Sequence, residues 1–192
     1  MVSKENLLVT KRNGRGKESL NIEKIHSMVG FATDNISNVS ASHVEMNSGI
    51  QFFDGINTED IQQILIKSAN DLISLEHPNY QYVAARLLLF SLRKRLFHRL
   101  WEHPSFLDHI KSCIKVSMYD KDILVKYTEA EIEKLASYID HERDYNFTYA
   151  GLRQVMDKYL VQDRSNGEIF ETPQFMYMMI AATLFAQYPK EN

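Results

Sequence analysis

Apolar positions in this chain fall into runs at helical spacing, separated by short polar clusters. The pivotal run is residues 78–95, PNYQYVAARLLLFSLRKR. There Tyr80, Val83, Leu87, Leu88 and Leu92 recur at helical spacing, with no Gly or Pro between them. Pro78 suits a first turn, because its missing N–H would be unpaired there anyway. At about 1.5 Å per residue such a helix is roughly 24 Å long, the width of a small domain. Arg86, Arg93 and Lys94 can share one side of it. The plain reading is a core helix with a solvated basic edge. The sharper one has Lys94 pointing at an anionic ligand held by the start of the chain.

Ahead of this helix, residues 7–12 (LLVTKR) predict a short strand, residues 13–16 a turn dense in Asn and Gly, and Glu18, Ser19 and Leu20 the returning strand. Asn21 is placed to cap a helix over 22–33, with Ile25, Met28, Val29 and Ala32 on its buried side. Ser40 can cap a second helix, 41–53, which Asp54 and Gly55 end. Thr58 predicts the cap of a third: a hydroxyl for the open amides, then Glu59 and Asp60 at the positive end of the dipole. Ile61, Ile64, Leu65, Ala69, Leu72 and Ile73 give that helix its apolar stripe.

Beyond residue 101 the pattern stays helical. Residues 104–116 are amphipathic and carry His109 and Cys113, and Thr128 and Glu131 have the spacing of a capping box for a helix reaching about residue 139. Residues 141–144, HERD, read as a charged connector, solvated or salt-bridged, and Thr148 can cap a helix to residue 158. Residues 159–163 and 168–171, around the turn RSNG, predict a hairpin. Pro173 opens a last helix, 174–186, apolar around most of its circumference. Such a helix should be surrounded by protein, and the remaining chain is too small to surround it. The expected fold is mainly α (α+β). A small hairpin with four helices fills residues 1–101, and a helical domain with one further hairpin fills residues 102–192.

Composition narrows the function. The 192 residues are 44% hydrophobic and 24% charged, as in a folded globular protein of one ordinary or two small domains. A net charge of −3 gives no global argument for nucleic acid or membrane partners. The one cysteine, Cys113, rules out a disulfide framework or a Cys-rich zinc site within this chain. The first residues lack an apolar signal core and no run approaches a membrane span, so a cytoplasmic protein is expected.

Lys11, Arg12, the glycine-containing turn and Asn21 at a helix start make an anion cradle of cations and open backbone amides. It is not a P-loop, for no G-x-x-x-x-G-K-[ST] occurs. The seven histidines have no zinc-motif spacing and read as surface or packing residues, so no metal site is expected. Cys113 shares an apolar stripe with Ile110 and Ile114 and reads as an inert buried thiol. No nucleophile–base set emerges, and no catalytic residue is assigned. The residues alone lead to a phosphate- or nucleotide-binding α+β module joined to a helical domain.

The motifs LLVTKRNG, ESLNIEKI, DGINTEDIQ and PNYQYVAARLLLFSLRK, in that order, resemble an ATP-cone. They are most similar to the cone at the N-terminus of the large (alpha) subunit of class I aerobic ribonucleoside-diphosphate reductase, of phage and enterobacterial type. YDKDILVKYTEAEI, IDHERDYNFTYAG, KYLVQDRSNGEIFETPQF and the last helix resemble the helical region that follows the cone, so nearly the whole chain is covered. The resemblance implies a regulatory ATP/dATP site, where Mg2+ could accompany the nucleotide. Lys11 and Arg12 would contact phosphates or ribose. Glu18, Ser19, Leu20, Asn21, Ile22, Glu23 and Lys24 would wrap the nucleotide, with Asn21 and Lys24 as the main polar contacts. Thr58 and Lys94 would complete the site, and Ile56, Ile61 and Leu88 are candidates to pack on the base. In the family ATP favours activity, and dATP can suppress it by changing subunit assembly. Gln62 stands where some relatives have a histidine, which puts the dATP response in question.

Ribose reduction in that family uses a thiyl radical and a reducing cysteine pair in a ten-stranded barrel, renewed by a thioredoxin- or glutaredoxin-type reductant. One cysteine cannot supply three thiols, and the catalytic barrel is absent from this sequence. The expectation is therefore the N-terminal piece of a large subunit, inactive alone. It would work in an oligomer with a polypeptide carrying the barrel and with the radical-generating small subunit. The alternative is an autonomous nucleotide-sensing and oligomerisation module. A cone-bearing transcription repressor is excluded, since its zinc ribbon needs a C-x-x-C. The anaerobic glycyl-radical reductase also carries a cone, but the segment after Trp101 fits the aerobic enzyme better.

Overall fold

A computed structural model describes residues 7–11, 16–49, 51–98 and 102–188. By compactness the chain divides into two units, Met1–Ser91 with Phe147–Leu152, and Leu92–Asn146 with Arg153–Asn192.

In the first unit, strands β1 (Leu8–Thr10) and β2 (Lys17–Ser19) pair antiparallel, Leu8 opposite Ser19 and Thr10 opposite Lys17. Helix α1 (Ile22–Thr33) follows at once. Asn21 caps it as expected, its extended backbone letting the side-chain oxygen accept from the Lys24 N–H at 3.0 Å. Helix α2 (Ala41–Gly49) stops four residues short of the expected end. Asn47, Ser48 and Gly49 are poor helix formers, and the Gln51 N–H turns back to the Ser48 carbonyl at 2.9 Å.

Helix α3 (Thr58–Asp71) corrects another expectation: its N-cap is Asn57, and Thr58 is already helical. The cause is tertiary. Asn57 bridges to Thr10 in parallel fashion, and the Thr10 N–H donates to the Ile56 carbonyl at 2.9 Å. Asn57 is thereby held extended, and the helix can begin only after it. Helix α4 (Tyr80–Phe97) begins two residues beyond Pro78, after a turn in which the Gln81 N–H donates to the Pro78 carbonyl at 3.2 Å.

α1 packs on α2 and α2 on α3. Val29, Ala32, Val44, Leu65, Val83 and Leu87 are wholly buried, each of the larger ones worth about 1.5–3 kcal/mol of transfer free energy. The Tyr80 hydroxyl accepts from the Ser40 N–H at 3.0 Å, which fixes the start of α2 against α4.

The second unit takes over α4 at Leu92. Helix α5 (Phe106–Lys115) is capped by Ser105, and α6 (Ile123–Lys126) is a single turn that the pattern did not announce. Helix α7 (Glu129–Ala136) has the expected capping box between Thr128 and Glu131. Residues His141–Asn146 form a 3-10 helix. Helix α8 (Tyr149–Lys158) begins in the first unit, capped by the Thr148 hydroxyl, and ends in the second. Strands β3 (Gln162–Asp163) and β4 (Glu168–Ile169) make the second hairpin, with Gly167 at φ +74° in its turn.

Helix α9 (Pro173–Phe185) closes the order. Phe175 and Ala182 of α9 enter a core with Phe106, Ile110 and Ile132. Ile180, Leu184 and Phe185 stay exposed, so among the described residues the apolar circumference of α9 is only half covered. Both sheets are two-stranded, and no helix among the described residues is long and apolar enough to cross a membrane.

Candidate functional site

β1 is the organiser of the first unit's candidate site, because a helix start follows each segment paired to it. On one side the Leu20 N–H donates to the Leu7 carbonyl at 2.7 Å, and Asn21 and α1 come next. On the other, the Gly55 N–H donates to the Leu8 carbonyl at 2.8 Å, the Thr10 hydroxyl donates to the Gly55 carbonyl at 3.1 Å, and Thr58 and α3 follow. The two helix starts thus flank opposite ends of β1. Three residues at about 3.3 Å each set them roughly 10 Å apart along the strand. Each presents open N–H groups, the usual seat for an anionic group.

The expected residues distribute over this frame. Lys11 lies exposed just past β1, its ammonium 2.9 Å from Glu18 across the hairpin. Ser19, Asn21, Ile22, Glu23 and Lys24 are exposed around the start of α1, with Leu20 half-buried between them. Thr58 is half-buried at the start of α3. Lys94 is exposed near the end of α4 and belongs to the second unit. Arg12 lies outside the described residues. Ile56, Ile61 and Leu88 are core residues. Gln62 is buried, and its amide donates to the Leu87 carbonyl at 2.9 Å, so it ties α3 to α4.

The second unit holds polar clusters that the sequence reading missed. Arg93 was expected on a solvated edge but is 2% exposed. Its guanidinium donates to the Tyr145 hydroxyl at 2.8 Å and to the His141 carbonyl at 2.7 Å, and lies 3.7 Å from Asp144. Asp144 is equally buried and accepts from Gln174 of α9 at 2.8 Å. Within the HERD connector Asp144 is therefore buried and salt-bridged, while Glu142 and Arg143 are exposed. Burial raises Asp144 to about 6, against the pull of Gln174 and Arg93. His103 stacks on His141 with ring centroids 3.7 Å apart. Burial, with Arg93 nearby, holds His103 down at about 3 and His141 at about 4.

Beside this lies a chain of contacts. Glu171 accepts from the Tyr119 hydroxyl and from the Val161 N–H, Tyr119 meets the His109 ring nitrogen at 3.2 Å, and that nitrogen lies 3.6 Å from the Cys113 sulfur. Burial pushes the Cys113 thiol up to about 12, helped by the Glu171 charge. It is the inert thiol expected. No set of three or more metal-ligating side chains occurs among the described residues. None of these clusters was marked by local spacing, because their members come from α4, α5, the 3-10 helix, the β4 end and α9.

A short hairpin carrying two helix starts, closed by two further helices, is the architecture of an ATP cone. Residues 7–95 match the ATP cone domain family, and residues 145–191 match the all-alpha domain of ribonucleotide reductase. The chain is similar to ribonucleoside-diphosphate reductase 1 subunit alpha of Escherichia coli, with 48% identity over 98% of this chain and 24% of that protein. The subunit alpha of Haemophilus influenzae is 46% identical over 98% of this chain and 25% of its own length. That of phage T4 is 43% identical over 91% and 23%. The chain thus carries an ATP cone domain and a ribonucleotide reductase all-alpha domain, is similar to ribonucleoside-diphosphate reductase alpha subunits, and spans about a quarter of the length of the curated relatives it matches.

Proposed function

We propose that this chain is the nucleotide-responsive portion of a ribonucleoside-diphosphate reductase large subunit, binding ATP and dATP to control the reduction of ribonucleotides to deoxyribonucleotides. The observation that carries the reading is the attachment of two helix starts to β1, with Lys11 at the α3 end and Asn21 to Lys24 at the α1 end. A nucleotide laid along β1 would meet open amides at both ends. Lys11, Arg12 and Lys94 would neutralise its phosphates, Glu18 to Lys24 would wrap it, and Thr58 would close the α3 end. Lys11 would exchange its contact with Glu18 for phosphate, and Mg2+ could enter with the nucleotide. The chain supplies no reducing thiol pair, so reduction itself would need the barrel-bearing remainder of the large subunit, the radical-generating small subunit and a dithiol reductant. The exposed apolar side of α9 is the surface such a remainder would cover.

Calorimetric titration with ATP and with dATP tests this. Both should bind saturably, and Lys94→Ala or Lys11→Ala should weaken each by about 1–3 kcal/mol, the range for a charge-assisted contact. Alanine variants that bind as the parent does would remove the site. ATP binding without dATP binding would leave an activating site alone. A second reading, an autonomous sensing module, requires nucleotide to shift the oligomeric state of the isolated chain, because a ligand acts only through its different affinity for two states.

A further inference from the structure

Arg93 and Lys94 are consecutive on α4, about 100° apart around it, Lys94 exposed and Arg93 buried in the second unit. An arginine inside a core is costly unless its geometry matters, since an apolar residue of similar volume is often no less stable there. Here the geometry is specific. Two guanidinium nitrogens are anchored on the 3-10 helix, through the Tyr145 hydroxyl and the His141 carbonyl, at 2.8 and 2.7 Å. The guanidinium carbon also sits 5.0 Å from the centre of the Tyr145 ring. Asp144, from the same short helix, passes the connection to α9 through Gln174.

The arrangement also has slack. The Arg93–Asp144 pair stands at 3.7 Å, and neither Arg93 Nε nor Asp144 Oδ2 has a hydrogen-bond partner among the described residues. A small shift of α4 could bring these charges into direct hydrogen-bond contact. A closed pair of this kind would give the segment the second arrangement that a coupling element needs.

We infer that Arg93 is a positioning residue for Lys94: its hold on residues 141–146 sets where the Lys94 ammonium stands, and ligand drawn to Lys94 tightens that hold in return. This rests on the nucleotide reading above. Because coupling is reciprocal, loosening the hold must weaken nucleotide binding by the factor with which nucleotide tightens it.

A double-mutant cycle on the full 192-residue chain, read as ATP affinity, tests the inference. Arg93→Lys should weaken ATP about fivefold, the low end of ordinary coupling. Tyr145→Phe, which removes one anchor and keeps the ring, should weaken it in the same direction and serves if Arg93→Lys does not fold. In a Lys94→Ala background neither substitution should weaken ATP further, because its effect passes through Lys94. A merely structural Arg93 would give the same loss in both backgrounds, and that overturns the inference. Hydrogen exchange of the amides of residues 141–146 supplies a second reading. ATP should slow it in the parent and leave it unchanged in Lys94→Ala. If Lys94→Ala weakens ATP while Tyr145→Phe and Arg93→Lys bind as the parent does, this inference alone fails. If the parent binds no ATP, or Lys94→Ala binds as tightly as the parent, the nucleotide reading fails and this one with it.

Discussion

Asn21 holds two roles at once, cap of α1 and candidate contact to a nucleotide, and the first can be isolated. Its side-chain oxygen meets the Lys24 N–H at 3.0 Å on an exposed surface. Asn21→Ala should therefore cost about 1 kcal/mol, and Asn21→Ser nearly nothing, as the urea midpoint without nucleotide would show. Equal losses in both would mean that the cap is not what stabilises this turn. Asn21 was legible because a cap and its target lie three residues apart. Thr58 was misread because the decisive contact, Thr10 with Asn57, joins residues far apart in the chain. The burial of Arg93 was not legible at all. Adjacent helix positions lie about 100° apart, and nothing in the string RK says which of the two faces protein.

Among the elements, those with strong local chemistry were the ones read correctly. Thr128 and Glu131 satisfy each other's backbone amides, and the RSNG turn closes β3 onto β4. The turn yields its own test. Gly167 has φ +74°, and a methyl group added there would meet nothing within 4 Å. Gly167→Ala therefore carries a purely conformational cost, about 1 kcal/mol, with Gly167→Asn less affected. Denaturant midpoints with an unchanged slope would check it, and an alanine variant as stable as the parent would contradict the assigned turn. α6 escaped notice because four residues give no period to read. Phe52 and Phe53 carry the apolar pattern past the end of α2, after the backbone has turned at Gly49. The candidate site was legible in part. The hairpin and helix starts could be read from local signals, whereas their common attachment to β1 could not.

At the scale of the whole molecule, acid sensitivity follows from the second unit's buried groups. Burial holds His103 at about 3 and His109 and His141 at about 4. Unfolded imidazoles take up protons below about pH 6.5, so the native state loses ground as pH falls from there toward 4. Asp144, raised to about 6, and Glu171, also raised by burial, act the other way, taking up protons in the folded state first. Three imidazoles outnumber the two carboxyls, so in this window the unfolded state binds more protons and stability falls as pH falls. Urea midpoints should therefore fall from about pH 6.5 to pH 4 and stay level just above that window. A midpoint that rises on acidification would mean these rings are not buried as described.

The first unit is discontinuous. Its last stretch, Phe147–Leu152, follows 55 residues (92–146) that belong to the other unit. A chain emerging from the ribosome therefore exposes the hairpin and most of the first four helices before their last stretch exists. At the usual 5–20 residues per second that delay is roughly 3–11 s. Translation speed across residues 92–146 thus becomes a variable in how this protein reaches its native state.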